Sequence, residues 1–219
     1  MSHRLPAAPL RARVRLFALP LALTLAAMLF PGPPSLAQAQ GQPQIQAPIR
    51  PELIWQPGQL KPVDSRLAVK VGDKAPDFDL PCIDGSRVSL SQYLGKKNVV
   101  VSFVPAAWTP VCSGQWPGYN LAKNIFDQAD AVLIGITCDN LPSLNAWVVE
   151  MGGVWFPVAS DFWPHGALAA RLGILRKSGV SERALFVIDK KGVIRYIDVH
   201  DINERPDLGQ LAAALARLK

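Results

Sequence analysis

The sequence predicts an α/β domain with a central mixed β-sheet flanked by helices, on the basis of three observations. Two β-branched apolar runs, 98–104 and 131–137, show little alternation, which is typical of strands buried on both faces. A helical pattern follows each run, and this order favours a parallel β–α–β unit. Two later runs, 184–188 and 193–197, flank an Asp-Lys-Lys-Gly turn, which predicts an antiparallel hairpin.

The elements around the first long strand follow from shorter patterns. The segments 78–80 and 87–90 predict a hairpin that precedes this strand. The helix after the strand contains Pro117, which removes one backbone hydrogen bond and should kink the helix. The apolar pairs 121–122 and 125–126 repeat at four residues and predict that the helical region has one buried face.

Three further helices complete the predicted domain. One spans 143–150 and is closed by the glycine pair at 152–153. A second carries Leu168 and Leu172 on one side. The last starts at Pro206 and presents four leucines on one face, at positions 208, 211, 215 and 218. A β–α–β unit followed by a β-hairpin and a helix is the thioredoxin-like order.

One cysteine occupies a position that favours an ionised sulfur. Cys112 follows the end of the 98–104 strand and falls in the first turn of the next helix, with the hydroxyl of Thr109 three residues upstream. Unpaired backbone N–H groups and the positive end of the helix dipole favour an anion there. Because the thiolate is the nucleophilic form of cysteine, the sequence predicts an enzyme that acts through Cys112.

The spacing around this cysteine resembles the active-site motif of the peroxiredoxins. In that motif a proline, a threonine and the reactive cysteine are spaced as Pro105, Thr109 and Cys112 are here. The sequence Val-Gly-Asp-Lys-Ala-Pro-Asp-Phe at 71–78 is similar to the start of the family's domain. The motif therefore favours membership of a known class of thiol enzymes.

Two downstream segments, 160–166 and 183–189, resemble the one-cysteine alkyl hydroperoxide reductase E subgroup of that family. The resemblance covers about residues 69–219, which form the whole predicted domain. It implies a thioredoxin-like fold and a thiol-dependent peroxidase that reduces hydrogen peroxide and organic hydroperoxides. It also implies a thiol reductant, either a small thiol or a thioredoxin-like protein, and a homodimer.

The resemblance implies roles for four residues. Cys112 would be the peroxidatic nucleophile, oxidised to a sulfenic acid, and Arg183 would be the cation beside it. Thr109 would hydrogen-bond the peroxide, and Pro105 would shield the sulfur from water. One departure is Gln115, at a position where the subgroup usually has glutamate; glutamine can bond to arginine but supplies no negative charge.

The other two cysteines are candidates for a resolving thiol that would capture the sulfenic acid. Cys138 ends the 131–137 strand, and parallel strands of such sheets end on the active-site side, which makes it the better candidate. Cys82 lies in the predicted N-terminal hairpin. For both, a small buried apolar side chain is the simpler interpretation, since a disulfide needs Cα atoms about 5.5 Å apart.

Residues 1–39 have the pattern of a signal peptide. Four arginines precede an apolar stretch at 16–30, and Ala-Gln-Ala at 37–39 offers a small-residue cleavage site. The stretch is shorter than the roughly 20 residues that span a bilayer, so an uncleaved membrane anchor is the weaker alternative. The sequence predicts an exported protein, periplasmic or secreted, with a proline- and glutamine-rich linker at 40–68. The only apolar cluster of the linker, 53–55, leaves two alternatives: the linker docks on the domain as a strap, or it is mobile.

Charge and motif content exclude several functions. The chain has 23 Lys and Arg against 17 Asp and Glu, but four of the arginines and none of the acidic residues lie in the predicted signal peptide, residues 1–39. The mature chain, with 19 basic and 17 acidic residues, gives no support for nucleic-acid binding. Histidines and cysteines occur at no metal-binding spacing, and no glycine-rich phosphate loop follows a strand. No metal and no cofactor are therefore expected.

Two other functions stay open on the sequence alone. An envelope disulfide oxidoreductase of thioredoxin type would carry a C-x-x-C pair at this turn, but Thr109 occupies the place of the first cysteine. A non-catalytic redox sensor would need the same ionised Cys112 as a peroxidase. Repeated turnover with a reductant separates a sensor from an enzyme.

Overall fold

Two groups of strands organise the part of the chain that the structure describes, residues 49–218 of a computed structural model. The strands, numbered in chain order, are β1 Asp79–Pro81, β2 Arg87–Ser89, β3 Asn98–Phe103, β4 Ala131–Thr137, β5 Val158–Ser160, β6 Arg183–Ile188 and β7 Ile194–His200. β1 and β2 form a separate antiparallel hairpin. The other strands form a sheet in the order β5-β4-β3-β6-β7.

The sheet is mixed, as the sequence predicts, because β3 runs parallel to β4 and antiparallel to β6. Val100 of β3 is opposite Leu133 on one side and Val187 on the other. Every residue of β3 is buried, which agrees with its continuous β-branched sequence. The turn between β6 and β7 is held by the Asp189 carboxylate, which accepts hydrogen bonds from the N–H groups of the two residues at 191 and 193.

Helices cover both faces of this sheet. In the described residues they are α1 Pro110–Leu121, α2 Lys123–Gln128, α3 Leu141–Glu150, α4 Ala167–Leu172 and α5 Leu208–Ala216. Successive side chains of a strand point to opposite faces, so the buried residues divide into two clusters. One cluster packs α1, α2, α3 and α5 against the sheet, and the other packs α4 and the β1–β2 hairpin against it. The predicted α/β fold is confirmed.

The helical region after Cys112 differs from its prediction in one respect. The chain leaves the helical conformation at Ala122, with φ −103° and ψ 17°, and a second helix starts at Lys123. Ala122 and Phe126 are buried as expected, but Leu121 is 92% exposed. Because α1 and α2 are separate helices, the apolar pairs 121–122 and 125–126 do not lie on one continuous helical face.

The last helix begins at Leu208, two residues later than predicted. The Asp207 carboxylate accepts a hydrogen bond from the N–H of Gly209 and so caps the helix. Leu211 and Leu215 are buried, whereas Leu208, in the first turn, is partly exposed. The buried face of the helix is therefore narrower than the leucine pattern suggests.

Residues 49–68, which the sequence assigns to the linker, run along the domain, and we call this segment the strap. The Trp55 N–H donates to the Trp108 carbonyl over 2.8 Å, and the Ala68 N–H donates to the Leu172 carbonyl over 3.0 Å. Gly173 has φ +75°, and a Cβ there would lie 2.3 Å from the backbone nitrogen of Ala68. Only glycine therefore fits where the strap crosses the end of α4.

The described residues, 49–218, all belong to one compact unit. The predicted signal peptide at 1–39 lies outside them, as do residues 40–48 of the predicted linker. Among the helices of residues 49–218, none has the length and apolar character needed to cross a membrane.

Candidate active site

The amino end of α1 places Cys112 beside unpaired backbone donors. The helix begins at Pro110, directly after the loop that follows β3, and Thr109 is its N-cap residue without a side-chain capping bond. The N–H groups of Val111 and Cys112 therefore have no acceptor within the helix. Cys112 is 1% exposed, so its sulfur meets these donors and its protein neighbours rather than bulk water.

The guanidinium of Arg183 contacts the sulfur directly. Its Nη2 donates to Cys112 Sγ over 3.4 Å and to the Ile202 carbonyl over 2.9 Å, while Nη1 donates to Gln115 Oε1 over 2.5 Å. Arg183 is itself almost fully buried. A charge held in a protein interior by several acceptors acts strongly on its neighbours, and the sulfur of Cys112 is one of these neighbours.

Gln115 takes the acceptor position that the sequence predicts for it. Its Oε1 accepts from Arg183, while its Nε2 donates to Tyr119 Oη over 3.0 Å and to Ser102 Oγ over 3.3 Å. Burial raises the pKa of Tyr119, so its hydroxyl stays protonated. Gln115 therefore orients the arginine through a neutral network and adds no negative charge next to the sulfur.

The loop before the helix sets the orientation of the threonine hydroxyl. Thr109 Oγ1 donates to the Ala106 carbonyl over 2.9 Å. Since that bond uses its proton, the lone pairs of Oγ1 are the groups left to accept a hydrogen bond. The loop is fixed by the Ala107 N–H, which donates to Asp139 Oδ2, and it includes Trp108 at φ +60°. Left-handed conformations are uncommon in non-glycine residues and carry backbone strain.

A pocket of about 500 Å³ opens above this centre. The four residues predicted to form the site, Pro105, Thr109, Cys112 and Arg183, all line it. The strap also lines it, with the consecutive residues 55–60. The structure therefore brings the four residues together and adds a wall that the sequence interpretation did not include.

The two other cysteines lie on the other side of the sheet. Cys112 belongs to the core cluster of α1, whereas Cys82 and Cys138 pack with the cluster of α4 and the hairpin. All three thiols are free. Burial raises the pKa of Cys138 to about 12, and burial also raises the pKa of Cys82. In this conformation the sheet separates both thiols from Cys112, and a resolving role for either stays a prediction.

Two further side chains near the site have structural functions. Trp116 is fully buried and packs against Trp147 with ring centroids 5.0 Å apart. Asp161 accepts hydrogen bonds from the N–H groups of Leu168 and Ala169 and caps α4. In residues 49–218 no group of three or more histidine, cysteine, aspartate or glutamate side chains could hold a metal ion.

The residues that sequence reasoning missed around the site are Ser102, Tyr119 and Ile202. Ser102 interrupts a buried apolar strand, and a polar residue in such a run indicates a buried hydrogen bond that the sequence alone could have suggested. Ile202 acts through its backbone carbonyl, which leaves no signature in its side chain.

The fold and the site together define a thioredoxin-like domain with one cysteine at the start of a helix and in contact with an arginine. The chain belongs to the AhpC/TSA family, whose model matches residues 71–197, and it is a peroxiredoxin, a thiol-dependent peroxidase. The family and the activity predicted from the sequence are confirmed.

Known proteins of this class match about two thirds of this chain. Alkyl hydroperoxide reductase E of Mycobacterium tuberculosis is 34% identical over 151 residues, 68% of this chain and 98% of that protein. The crystal structure of peroxidoxin BcpB from the same species has a TM-score of 0.61 at 25% identity, over 69% of this chain and 99% of that one. The reduced 2-Cys peroxiredoxin of Plasmodium vivax has a TM-score of 0.62 at 25% identity, over 68% and 81%.

Proposed function

We propose that Cys112 is the nucleophile that reduces hydrogen peroxide and organic hydroperoxides, with a sulfenic acid as intermediate. The observation that carries this proposal is the 3.4 Å contact between Arg183 Nη2 and Cys112 Sγ at the amino end of α1, at the base of a pocket. The arginine, the Val111 and Cys112 amides and the helix dipole all favour a thiolate there. No other described cysteine has such neighbours.

The reaction moves two electrons from sulfur to peroxide. The thiolate attacks the terminal oxygen of a hydroperoxide along the O–O axis, so that an S–O bond forms while the O–O bond breaks. The alkoxide leaves and takes a proton from water to become an alcohol, or water when the substrate is hydrogen peroxide. Arg183 and the first-turn amides lie beside the sulfur, and fixed donors stabilise developing negative charge without reorganisation.

Thr109 and Pro105 have supporting roles in this proposal. The lone pairs of Thr109 Oγ1 are available to accept the hydroperoxide O–H, because its own proton is bonded to the Ala106 carbonyl. This contact orients the terminal oxygen toward the sulfur. Pro105 is buried and lines the pocket, where it limits access of water to the thiolate.

External thiols regenerate the enzyme. A first thiol attacks the sulfenyl sulfur, an S–S bond forms, and hydroxide leaves and is protonated to water. A second thiol attacks this mixed disulfide and releases Cys112 as a thiol. The placement of Cys82 and Cys138 on the far side of the sheet supports this one-cysteine cycle. The reductant is a small thiol or a thioredoxin-like protein.

A trapping experiment tests the proposal. Purified residues 40–219 are mixed with one equivalent of hydrogen peroxide in the presence of dimedone, which reacts with sulfenic acids, and the peptides are analysed by mass spectrometry. We expect the adduct on Cys112 alone, and catalytic consumption of peroxide when dithiothreitol replaces dimedone. A label on Cys82 or Cys138 contradicts the assignment, and oxidation without turnover identifies a sensor.

We further propose that the protein is exported and acts as a homodimer in the periplasm or outside the cell. The basic, apolar and small-residue order of residues 1–39 supports export. N-terminal sequencing of the protein from an envelope fraction should start at residue 40, and a chain that retains Met1 contradicts cleavage. Sedimentation of the mature protein measures the oligomeric state.

A further inference from the structure

We propose that the strap segment 55–60 is a specificity-determining wall of the Cys112 pocket, which raises the preference of the enzyme for apolar organic hydroperoxides over hydrogen peroxide. This inference rests on the peroxidase function proposed above. It adds a selectivity element that lies N-terminal to the segment 71–197 shared with the family.

The segment is held at both ends by bonds to the domain. At one end, the Trp55 N–H donates to the carbonyl of Trp108, inside the cysteine motif. At the other end, Asn203 bonds twice to the backbone of Leu60: its Nδ2 donates to the carbonyl over 2.9 Å, and its Oδ1 accepts from the N–H over 3.0 Å. A paired side-chain bond of this kind fixes both position and orientation of the backbone.

A buried ion pair holds the following part of the strap. Arg176 pairs with Glu182 at 2.5 Å, and both side chains are almost fully buried. The arginine also donates to the Lys61 carbonyl over 2.7 Å, and the glutamate accepts from the Asp64 N–H over 2.7 Å. Each buried charge thus has bonds to the strap as well as to its partner, so the wall is a fixed part of the domain.

The strap is also connected to the catalytic arginine. The N–H of Ile202 donates to the carbonyl of Pro62 over 3.1 Å, and the carbonyl of Ile202 accepts from Arg183 Nη2. The same peptide segment therefore bonds to the strap on one side and to the catalytic guanidinium on the other. Pocket wall and reacting centre are coupled through a short backbone segment.

The size and lining of the pocket match an organic substrate better than hydrogen peroxide. A water molecule occupies about 30 Å³, so a peroxide group fills only a small part of about 500 Å³. Cys112, Thr109 and Arg183 lie together in the lining. The wall contributes the apolar side chains of Trp55 and Leu60 together with two glutamines, at 56 and 59. A pocket that combines reactive polar groups with apolar side chains is typical of a site for an amphipathic small molecule.

Trp55 is the large apolar side chain of this wall that is exposed to water, so a substrate that covers it removes apolar surface from water. It is 67% exposed, although its backbone is fixed to the motif loop. An apolar substituent on the hydroperoxide would cover part of the indole and lose its own contact with water. Hydrogen peroxide has no such substituent and gains nothing from the wall.

The test compares cumene hydroperoxide with hydrogen peroxide in wild-type protein and in the variants Trp55→Ala and Asn203→Ala. The measured quantity is the second-order rate constant for Cys112 oxidation by cumene hydroperoxide divided by the constant for hydrogen peroxide, both obtained by stopped flow. We expect the ratio to fall about tenfold in Trp55→Ala, the range for loss of an apolar contact in a substrate pocket. It should also fall in Asn203→Ala, together with faster amide hydrogen exchange in residues 55–60.

Trp163→Ala is the matched control, since Trp163 is 69% exposed and lies in the loop before α4. Its ratio should equal that of wild type. An unchanged ratio in both strap variants, or an equal fall in the control, overturns the inference while peroxidase activity stands. Absence of peroxide reduction at Cys112 in wild type instead overturns the proposed function itself.

Discussion

Replacement of Cys112 by serine is expected to lower the rate of peroxide reduction by a factor on the order of 10³ or more, the scale seen when a nucleophile is removed. Serine has nearly the same size as cysteine, so it fits this buried position, but its hydroxyl is not ionised near neutral pH and is a weak nucleophile. The measurement is consumption of hydrogen peroxide with dithiothreitol as reductant, with circular dichroism to show that the fold is retained.

Two matched variants control for the loss of a thiol in general. Cys82→Ser and Cys138→Ser each remove a buried or half-buried sulfur from the opposite side of the sheet, and both should keep the wild-type rate. If Cys138→Ser stops turnover after a single oxidation event, Cys138 is a resolving residue after all. Equal rates for wild type and Cys112→Ser would falsify the assignment of the nucleophile.

The local parts of the site could be predicted from the sequence because they depend on short-range spacing. Pro105, Thr109 and Cys112 belong to one loop and one helix start, so their separation along the chain fixes their separation in space. Arg183 is 71 residues further on, and only the family resemblance indicated it. Its placement results from strand register: Ala184 is opposite Phe103, so β6 starts where β3 ends and the motif loop begins.

Cys138 lies at the predicted end of the sheet but on the opposite face from Cys112. The carboxyl end of β4 is next to the carboxyl end of β3, from which the motif loop leaves, as predicted. Cys138, however, packs with the α4 cluster, whereas Cys112 packs with the α1 cluster. Position along a strand and side of the sheet are independent, and a contact requires both.

The sequence left open whether the strap docks on the domain, because its only apolar cluster is 53–55 and nothing else in the segment has a regular period. It forms no sheet pairing, and a single 3₁₀ turn, Pro51–Leu53, is its only regular element in the described residues. It is held by isolated bonds to groups scattered along the chain, such as Asn203 and Trp108. Hydrophobic periodicity predicts only segments with repeated burial, and single contacts of this kind leave no periodic pattern. The proline-rich composition therefore indicated a linker.

Replacement of Arg183 by methionine is expected to lower the second-order rate constant for peroxide by about 10²–10³, the effect of removing one preorganised donor from a developing anion. Methionine keeps much of the side-chain length, so the pocket is not simply emptied, but the guanidinium bonds to Cys112, Gln115 and Ile202 are lost. The two oxygen acceptors are then buried without a partner, so the melting temperature should also fall. Stopped-flow oxidation and thermal unfolding measure the two effects.

Two further variants separate the electrostatic role of Arg183 from a general effect on stability. Arg183→Lys keeps the positive charge but offers a single ammonium group in place of a planar fork, so it should recover part of the rate. Arg205→Met removes an exposed guanidinium that bonds to the Gly114 carbonyl of the same helix, and it should react like wild type. If Arg183→Lys were as slow as Arg183→Met while both remained folded, the planar arrangement of the guanidinium donors, and not the positive charge, would accelerate the attack. If Arg183→Met kept the wild-type rate, the 3.4 Å contact with the sulfur would be structural, and the helix amides alone would have to activate Cys112.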